Sequence, residues 1–439
     1  AHANFNHDHM FTERIMSFLE FYIDGQWVKP VHADTIDVVN PATEQIIETI
    51  SAGSAEDIDR AVSAARRAFD SFSRSSKEDR IELLTSVREI YKKRFDDIAE
   101  AIRLEMGAPL HLANGGQTSV GLGHLKTAIR VLEEFEYEQE KDGFLIRYEP
   151  IGVCGLITPW NWPMNQIVAK LAPVLAAGCT CVLKPSELAP LSAHIMAEIL
   201  HEAGVPAGVF NLVNGYGPVV GEAMSAHEDI EMMSFTGSTR GGVAVAKGSA
   251  DTVKRVSQEL GGKSANIVLD DDQLGESVRR GVLACMDNTG QSCNAPTRMF
   301  VPTARYEEAL EIAREVAETL VTGNPELENT QIGPVVSAAQ FDKVQRLISS
   351  GIEEKATLVT GGVGRPEHLD KGYFVKPTIF GGVTPQMSIF REEIFGPVLS
   401  IIAYENQEEV VNMANDTPYG LAAYGAGSDN AEVMKYARE

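Results

Sequence analysis

Cys293 closes the polar run Asn288-Thr289-Gly290-Gln291-Ser292-Cys293. Upstream lies Gln258-Glu259-Leu260-Gly261-Gly262, and further upstream Thr158-Pro159-Trp160-Asn161-Trp162-Pro163. Together they hold a thiol, a carboxylate and a side-chain amide. That is the kit for attacking a carbonyl carbon, stabilising the oxyanion that forms and hydrolysing a covalent thioester. A free thiol is mostly protonated near neutral pH, so it needs a donor, a positive charge or a base nearby. Glu259 stands before two glycines that would let its carboxylate swing. An amide donates to an oxyanion without giving up its proton, and one such donor is worth on the order of 3 kcal/mol. Each residue taken alone has a plainer reading. A cysteine in an apolar helix is core, as for Cys285. Glu259 can be a surface glutamate at a strand end, and Asn161 a turn-stabilising side chain beside Trp160 and Pro163.

Between these runs lies Phe235-Thr236-Gly237-Ser238-Thr239-Arg240-Gly241, a strand leading into a helix. It lacks the usual Gly-x-Gly-x-x-Gly pattern, but it puts free N–H groups of a helix N-terminus against a pyrophosphate. Gly-Ser pairs occur in many turns, so this run carries little weight alone. Lys184 and Glu187, in Val182-Leu183-Lys184-Pro185-Ser186-Glu187, follow a strand end where ribose recognition occurs. A carboxylate accepting from ribose hydroxyls repels a 2′-phosphate, which points to NAD over NADP, although Lys184 could offset that repulsion.

In this order the runs resemble the aldehyde dehydrogenase superfamily, of the NAD(P)-dependent hydrolytic type. The resemblance extends from about Tyr22 to the last residue and takes in Ser234-Phe235-Thr236-Gly237-Ser238-Thr239 and Glu392-Glu393-Ile394-Phe395-Gly396-Pro397. It implies an α/β fold with two doubly wound α/β domains, a Rossmann-like cofactor domain and a catalytic domain, plus a small oligomerisation hairpin. It implies oxidation of an aldehyde to the carboxylic acid with reduction of NAD, through a thiohemiacetal and a thioester on Cys293. The oxyanion would be held by the Asn161 side chain and the Cys293 backbone N–H, and Glu259 would be the deacylating base. Lys170 would help fix the same site, an exposed lysine being the other reading. Cofactor contacts would fall to Thr158, Pro159, Trp160, Lys184, Ser186, Glu187, Phe235, Thr236, Gly237, Ser238, Gly261, Glu393 and Phe395. Of these, Glu393 and Phe395 would hold the nicotinamide ribose and ring; read alone, Glu392 and Glu393 are a solvated acidic pair. Trp162, Ser292 and Asn294 would wall the aldehyde tunnel. No lone arginine marks a carboxylate clamp, so the sequence names no particular aldehyde. Two other readings stay open. Members that hand the acyl group to coenzyme A tend to lack the glutamate found here at 259. A catalytically silent structural relative would not need Cys293, Glu259 and Asn161 intact.

The positioning elements follow from hydrophobic period and turn chemistry. Tyr22-Ile23-Asp24-Gly25-Gln26-Trp27 reads as a hairpin with Asp-Gly at its turn. Ser54 to Phe72 reads as a helix with Ser54 and Asp57 as a capping pair. Lys77 to Met106 reads as helical, stopped by Gly107 and Pro109. Short apolar runs at 153–157, 180–184, 210–213 and 232–235 alternate with helices over 165–177 and 191–203, which implies parallel strands with helical crossovers. A second alternating stretch has strands at 265–269, 298–301, 357–360 and 398–404 and helices at 307–320, 338–350 and 408–414. The expected organisation is a leader over 1–20, an NAD-binding domain over 21–127 and 149–261, the oligomerisation hairpin over 128–148, and a catalytic domain over 262–439. Phe135, Tyr137, Phe144, Ile146 and Tyr148 roughly alternate along that hairpin, which reads as an interface or as a surface excursion. His2, His7 and His9 read as a tag remnant rather than a metal tract. The resemblance implies that the catalytic domain continues some tens of residues beyond Glu439, through a Pro-Phe-Gly-Gly run and a strand that joins a neighbouring subunit in a dimer or tetramer.

Composition excludes several classes. A chain of 439 residues with 44% hydrophobic and 23% charged residues is ordinary for a soluble protein of two or three domains. The net charge of -24 argues against nucleic acid and against an anionic membrane surface. No apolar run is long enough to span a bilayer, and no signal peptide is visible. Five cysteines, an odd number, do not form a disulfide framework and fit a reducing cytoplasm. Cys179-Thr180-Cys181 lacks partners at zinc-site spacing, so no metal is expected.

Overall fold

The structure, a computed structural model, describes residues 18–439; His2, His7 and His9 lie outside the described residues. The chain divides into two compact units. The first holds residues up to Val39, Ile46–Glu105 and Ala113–Gln258; the second holds Asn40–Gln45, Met106–Leu112 and Glu259–Glu439.

The first unit opens with the hairpin β1 (Phe21–Ile23) and β2 (Gln26–Val28). Asp24 and Gly25 at its turn have φ +55° and +75°, the left-handed pair that a tight two-residue hairpin needs. A ribbon of β3 (Thr35–Asn40) and β4 (Gln45–Ser51) leads to α1 (Ala55–Phe72). Ser54 and Asp57 cap α1 reciprocally, and Ile58, Ala61, Val62 and Ala65 are buried along one stripe. The helix expected over 77–106 is in fact two, α2 (Lys77–Lys93) and α3 (Phe95–Met106). The break falls at Arg94, whose guanidinium reaches Asp97 in the next turn and Glu198 at 2.7 Å. No glycine or proline marks it.

A short turn α4 (Leu110–Leu112) precedes α5 (Thr118–Glu134), which buries Leu125, Ile129 and Leu132 at helical spacing. The hairpin expected from residue 128 therefore begins later, as β5 (Glu138–Lys141) and β6 (Phe144–Arg147). Next come β7 (Val153–Ile157), α6 (Pro163–Ala177), β8 (Thr180–Lys184), α7 (Leu191–Glu202) and β9 (Phe210–Leu212). They are followed by α8 (Glu222–Ala226), β10 (Met232–Thr236), α9 (Thr239–Ser249) and β11 (Arg255–Glu259). The sheet order is β11-β10-β7-β8-β9-β1-β2, parallel from β10 to β9. Strands β7 and β8 are buried along their whole length, which is why they read as continuous apolar runs.

The second unit runs β12 (Ala265–Val268), α10 (Leu274–Met286), β13 (Arg298–Pro302), α11 (Tyr306–Thr319), α12 (Ala338–Glu353), β14 (Thr357–Thr360) and β15 (Thr378–Gly381). It closes with α13 (Ser388–Arg391), β16 (Val398–Tyr404), α14 (Gln407–Asn415), β17 (Ala423–Ala426) and α15 (Asn430–Ala437). Its sheet has the order β14-β15-β16-β13-β12-β17, parallel except for β14 against β15. One apolar cluster packs α12 against Phe300, Phe380 and Ile402, and another packs α10 and α11 against Met299, Val301 and Ile401. Adjacent residues of β13 and of β16 thus serve opposite layers, so the sheet is covered on both faces. Each unit is a parallel-sheet α/β fold, the class the resemblance implies.

Candidate active site

The thiol is presented by a strained turn in the second unit. Helix α10 ends at Met286 with Cys285 wholly buried in the core. Then Asn288, Thr289 and Gly290 take φ +51°, +59° and +70° in succession. Asparagine and glycine tolerate that conformation, but for β-branched threonine it is an outlier that persists only when its surroundings over-determine it. They do. Gln291, fully buried, donates to the Asn288 carbonyl at 3.0 Å and accepts from Val336 N–H at 3.0 Å. Asn288 donates back to the Gln291 carbonyl at 3.3 Å, and Thr289 donates its hydroxyl proton to the Gly333 carbonyl at 3.1 Å. Beyond this turn Ser292 and Cys293 are half-buried and Asn294 is exposed, its carbonyl accepting from the Tyr424 hydroxyl at 2.8 Å.

The glycines after Glu259 do more than free it. A Cβ on Gly262 would overlap the Cys293 carbonyl, and one on Gly261 would overlap the Glu393 carboxylate. Only glycine lets the three segments approach this closely. Glu259 itself is exposed at the end of β11. Burial, and after it the negative charges of Glu393 and Glu259, push the Cys293 thiol above its ordinary range, while the N–H groups of Asn294 and Cys293 pull the other way. The resting sulfur is therefore protonated near neutral pH and needs a base. Glu393 is half-buried and accepts from Gly262 N–H at 3.0 Å; burial raises its pKa against the pull of that N–H, Lys343 and Lys263. Phe395 takes φ +61°, an outlier for a bulky residue, and Gln340 donates to its carbonyl at 2.6 Å. Lys263 was not picked out by sequence. It is fully buried, its Nζ lacks a hydrogen-bond partner among the described residues, and burial brings it down to about 7.

In the first unit the candidate cofactor residues gather at the carboxyl ends of three adjacent parallel strands. Ile157 of β7 is in register with Lys184 of β8 and with Phe235 of β10. Thr158 follows β7 directly and Thr236 ends β10, and both hydroxyls are buried without a hydrogen-bond partner among the described residues. Orphaned donors of this kind are rare in a protein interior. The carboxyl ends of parallel strands are where open α/β sheets take ligands. Ser238 caps α9, its hydroxyl oxygen accepting from Gly241 N–H at 3.2 Å, and Gly237 leaves room for the Phe235 ring. Lys184 is buried and donates to the Pro185 carbonyl at 2.9 Å, with Glu187 Oε2 at 3.5 Å; burial lowers its pKa and Glu187 opposes that. Ser186 accepts from Leu188 N–H at 3.2 Å. Two free-standing hydroxyls, a helix N-terminus and a lysine–glutamate pair fit a dinucleotide.

Pro159, Trp160, Asn161 and Trp162 form the link from β7 to α6, with Pro163 as the first residue of that helix. Asn161 is 3% exposed, while Trp160 and Trp162 are half-buried. Lys170 is not the exposed lysine that its sequence allows: it is half-buried and donates to Ser234 Oγ at 3.0 Å, from α6 to β10. Glu105 is a further buried acid that sequence reading missed. Its carboxylate accepts from Leu191 N–H at 2.5 Å and Ser192 N–H at 3.2 Å, capping α7, and burial pushes its pKa up to about 7. An acidic residue between Leu104 and Met106 was the available signal. Among the described residues no cluster of His, Cys, Asp or Glu could hold a metal, and no helix is long and apolar enough to cross a membrane.

Comparison with known proteins supplies the family. The model of the aldehyde dehydrogenase family matches residues 27–439. The chain is 54% identical over 423 residues to a 3-succinoylsemialdehyde-pyridine dehydrogenase from a Pseudomonas species, covering 96% of this chain and 89% of that one. Among solved structures, aldehyde dehydrogenase C of Pseudomonas syringae was captured with NAD+ and octanal in a variant with a cysteine replaced by alanine. It is 49% identical, covers 97% of this chain and 88% of its own, and superposes with a TM-score of 0.96. An aldehyde dehydrogenase of Mycobacterium tuberculosis complexed with NAD+ is 36% identical, covers 97% of this chain and 89% of its own, and has a TM-score of 0.93. The chain belongs to the aldehyde dehydrogenase family.

Proposed function

We propose that this chain is an NAD-dependent aldehyde dehydrogenase that oxidises its substrate to the free carboxylic acid through a thioester on Cys293. The observation that carries the reading is the strained turn over 288–291, held by the bonds of Asn288, Thr289 and Gln291. It holds the Cys293 main chain against Gly262 and leaves the half-buried thiol within electrostatic reach of Glu259. Cys293 attacks the aldehyde carbon and its thiol proton passes to a base. The Asn161 amide and the Cys293 N–H donate to the oxygen as it becomes negative. NAD, when bound, supplies the acceptor for the hydride that leaves the adduct carbon. Glu259 then takes a proton from water, which attacks the thioester carbonyl and releases acid and thiol. Lys170 acts from behind through Ser234. Thr158, Pro159, Trp160, Ser186 and Thr236 serve the cofactor from the first unit, and Gly261, Glu393 and Phe395 are its proposed contacts in the second. Trp162, Ser292 and Asn294 face the substrate. The Pseudomonas neighbour holding octanal and the relative named for a semialdehyde support an aldehyde as substrate class without fixing which one.

Two coarser properties accompany this reading. The β5–β6 hairpin is the oligomerisation element: Phe144 is 74% and Leu145 61% exposed. An apolar groove of about 430 Å³ is lined by Val131, Phe135 and Pro173 and by Tyr137 and Tyr148, which flank the hairpin. All five cysteines are free, which fits a reducing cytoplasm.

The test of the overall reaction is NADH formation at 340 nm with a panel of aldehydes, following product acid with and without coenzyme A. Acid formed equally in both supports the hydrolytic reading. Dependence on coenzyme A means the acylating relative, and silence across the panel with NAD still bound means a structural one. Cofactor choice has its own test. Glu187→Gln is expected to raise relative use of NADP by about tenfold, because the carboxylate no longer repels a 2′-phosphate. A wild-type protein with higher kcat/KM for NADP than for NAD would contradict the role given to Glu187.

A further inference from the structure

The link that carries Asn161 is a bend rather than a regular element. Strand β7 ends at Ile157, α6 begins at Pro163, and Trp162 between them has φ -135° and ψ 68°. A side-chain donor on such a link is aimed only as well as its main chain is held. In this protein Gln117 holds it: its Nε2 donates to the Asn161 carbonyl at 2.9 Å. Gln117 is wholly buried, 44 residues away in sequence. It closes a five-residue turn, Ala113–Gln117, whose helical path is broken at Gly115 (φ -87°, ψ -109°). Wide turns of this type within a helix recur at functional sites.

The turn is itself fixed from both sides. Thr118 donates its hydroxyl proton to the Ala113 carbonyl at 2.7 Å, and the buried Tyr91 hydroxyl donates to the Thr118 carbonyl at 2.8 Å. The next turn of α5 closes over that phenol, since a Cβ on Gly121 would run into the Tyr91 hydroxyl. Gln117 is therefore a donor with little freedom, pointed at the Asn161 carbonyl. The side chain must be a neutral donor of this length. A carboxylate would set two oxygens against each other, and an apolar chain would leave the buried carbonyl without this donor.

We infer that Gln117 is a positioning residue for the reaction, which aims the Asn161 side chain by fixing the Asn161 main chain. The inference rests on the reading of Asn161 as oxyanion donor. Because Gln117 acts through Asn161, its effect vanishes once the Asn161 amide is removed. The experiment compares Gln117→Leu, Gln117→Met, Asn161→Ala and the Gln117→Leu, Asn161→Ala double variant in the full chain. It reads kcat, KM for NAD and thermal unfolding of each. Gln117→Leu and Gln117→Met are expected to lower kcat by about 10- to 100-fold with KM for NAD unchanged, as small misplacements of a catalytic donor do. In the Asn161→Ala background the further loss is expected to stay within about twofold. An equal loss in both backgrounds, or unchanged kcat in either folded single variant, overturns the inference while leaving Asn161 in its role. Unchanged kcat in Asn161→Ala overturns the oxyanion reading and this inference with it. Should Gln117→Leu fail to fold, Gln117→Met, close to glutamine in length and shape, takes its place in the double variant.

Discussion

Cys293→Ser is expected to abolish aldehyde oxidation while leaving NAD affinity near that of the unaltered protein. A hydroxyl is a far weaker nucleophile than a thiol in reach of a base, and loss of a catalytic nucleophile costs about three or more powers of ten. The cofactor residues proposed at the strand ends, Thr158, Lys184, Glu187 and Thr236, are untouched by the change. The other four cysteines are poor candidates because Cys154, Cys179, Cys181 and Cys285 are all buried. Burial also pushes Cys285 up to about 12, so it is inert as a thiolate. Steady-state rates at 340 nm and an NAD titration check both halves. Near-normal turnover in Cys293→Ser, with one of the buried cysteines proving essential, would contradict the assignment.

Glu259→Gln is expected to separate the two half-reactions. Glutamine keeps the shape of the side chain and loses the base. Deacylation should slow by about two to four powers of ten, the usual effect of removing a general base. Where deacylation limits turnover, mixing with aldehyde and NAD gives a burst of NADH of at most one equivalent per site, then a slow steady state. The raised pKa of Cys293 adds a second outcome. The Glu259 charge is felt at the sulfur, though less than burial and the Glu393 charge, so the variant also tests whether Glu259 takes the thiol proton. A lost burst with no adduct would assign Glu259 to activating the thiol, and an unchanged steady-state rate would remove it from the mechanism.

The candidate site was legible in the sequence where its groups sit in short runs. Cys293, Glu259 and Asn161 stand out because a thiol, an acid and an amide each lie in a polar or glycine-rich link rather than on an apolar face. The buried strands β7 and β8 were legible as well, since both faces are covered and every residue but Lys184, at the end of β8, is apolar or small. What was not legible depends on partners far along the chain. Gln117 meets Asn161 across 44 residues, and Glu105 meets Leu191 across 86. Neither spacing leaves a local pattern. The left-handed turn over 288–290 is hidden for another reason: threonine does not ordinarily take that conformation, and the bonds of the buried Gln291 to Asn288 and Val336 and of Thr289 to Gly333 enforce it. The break at Arg94, whose guanidinium pairs with Asp97 and Glu198, has no glycine or proline to announce it. The hairpin was placed too early: α5 runs on to Glu134, and the aromatic alternation begins only at Phe135, the extended residue that follows it. The weak Gly237-Ser238 signal gains its meaning only beside the orphaned hydroxyls of Thr158 and Thr236.

The covalent intermediate is the centre of this account, and intact-mass measurement of Glu259→Gln tests it most directly. The variant is mixed with NAD and an aldehyde that the unaltered protein turns over, then quenched in acid, which preserves a thioester. The expected result is a mass gain equal to the aldehyde less two hydrogens, at up to one per chain, mapped to the peptide that carries Cys293 and absent when Cys293 is also replaced by serine. A burst of NADH with no mass gain, or a gain on a peptide that does not contain Cys293, would contradict it.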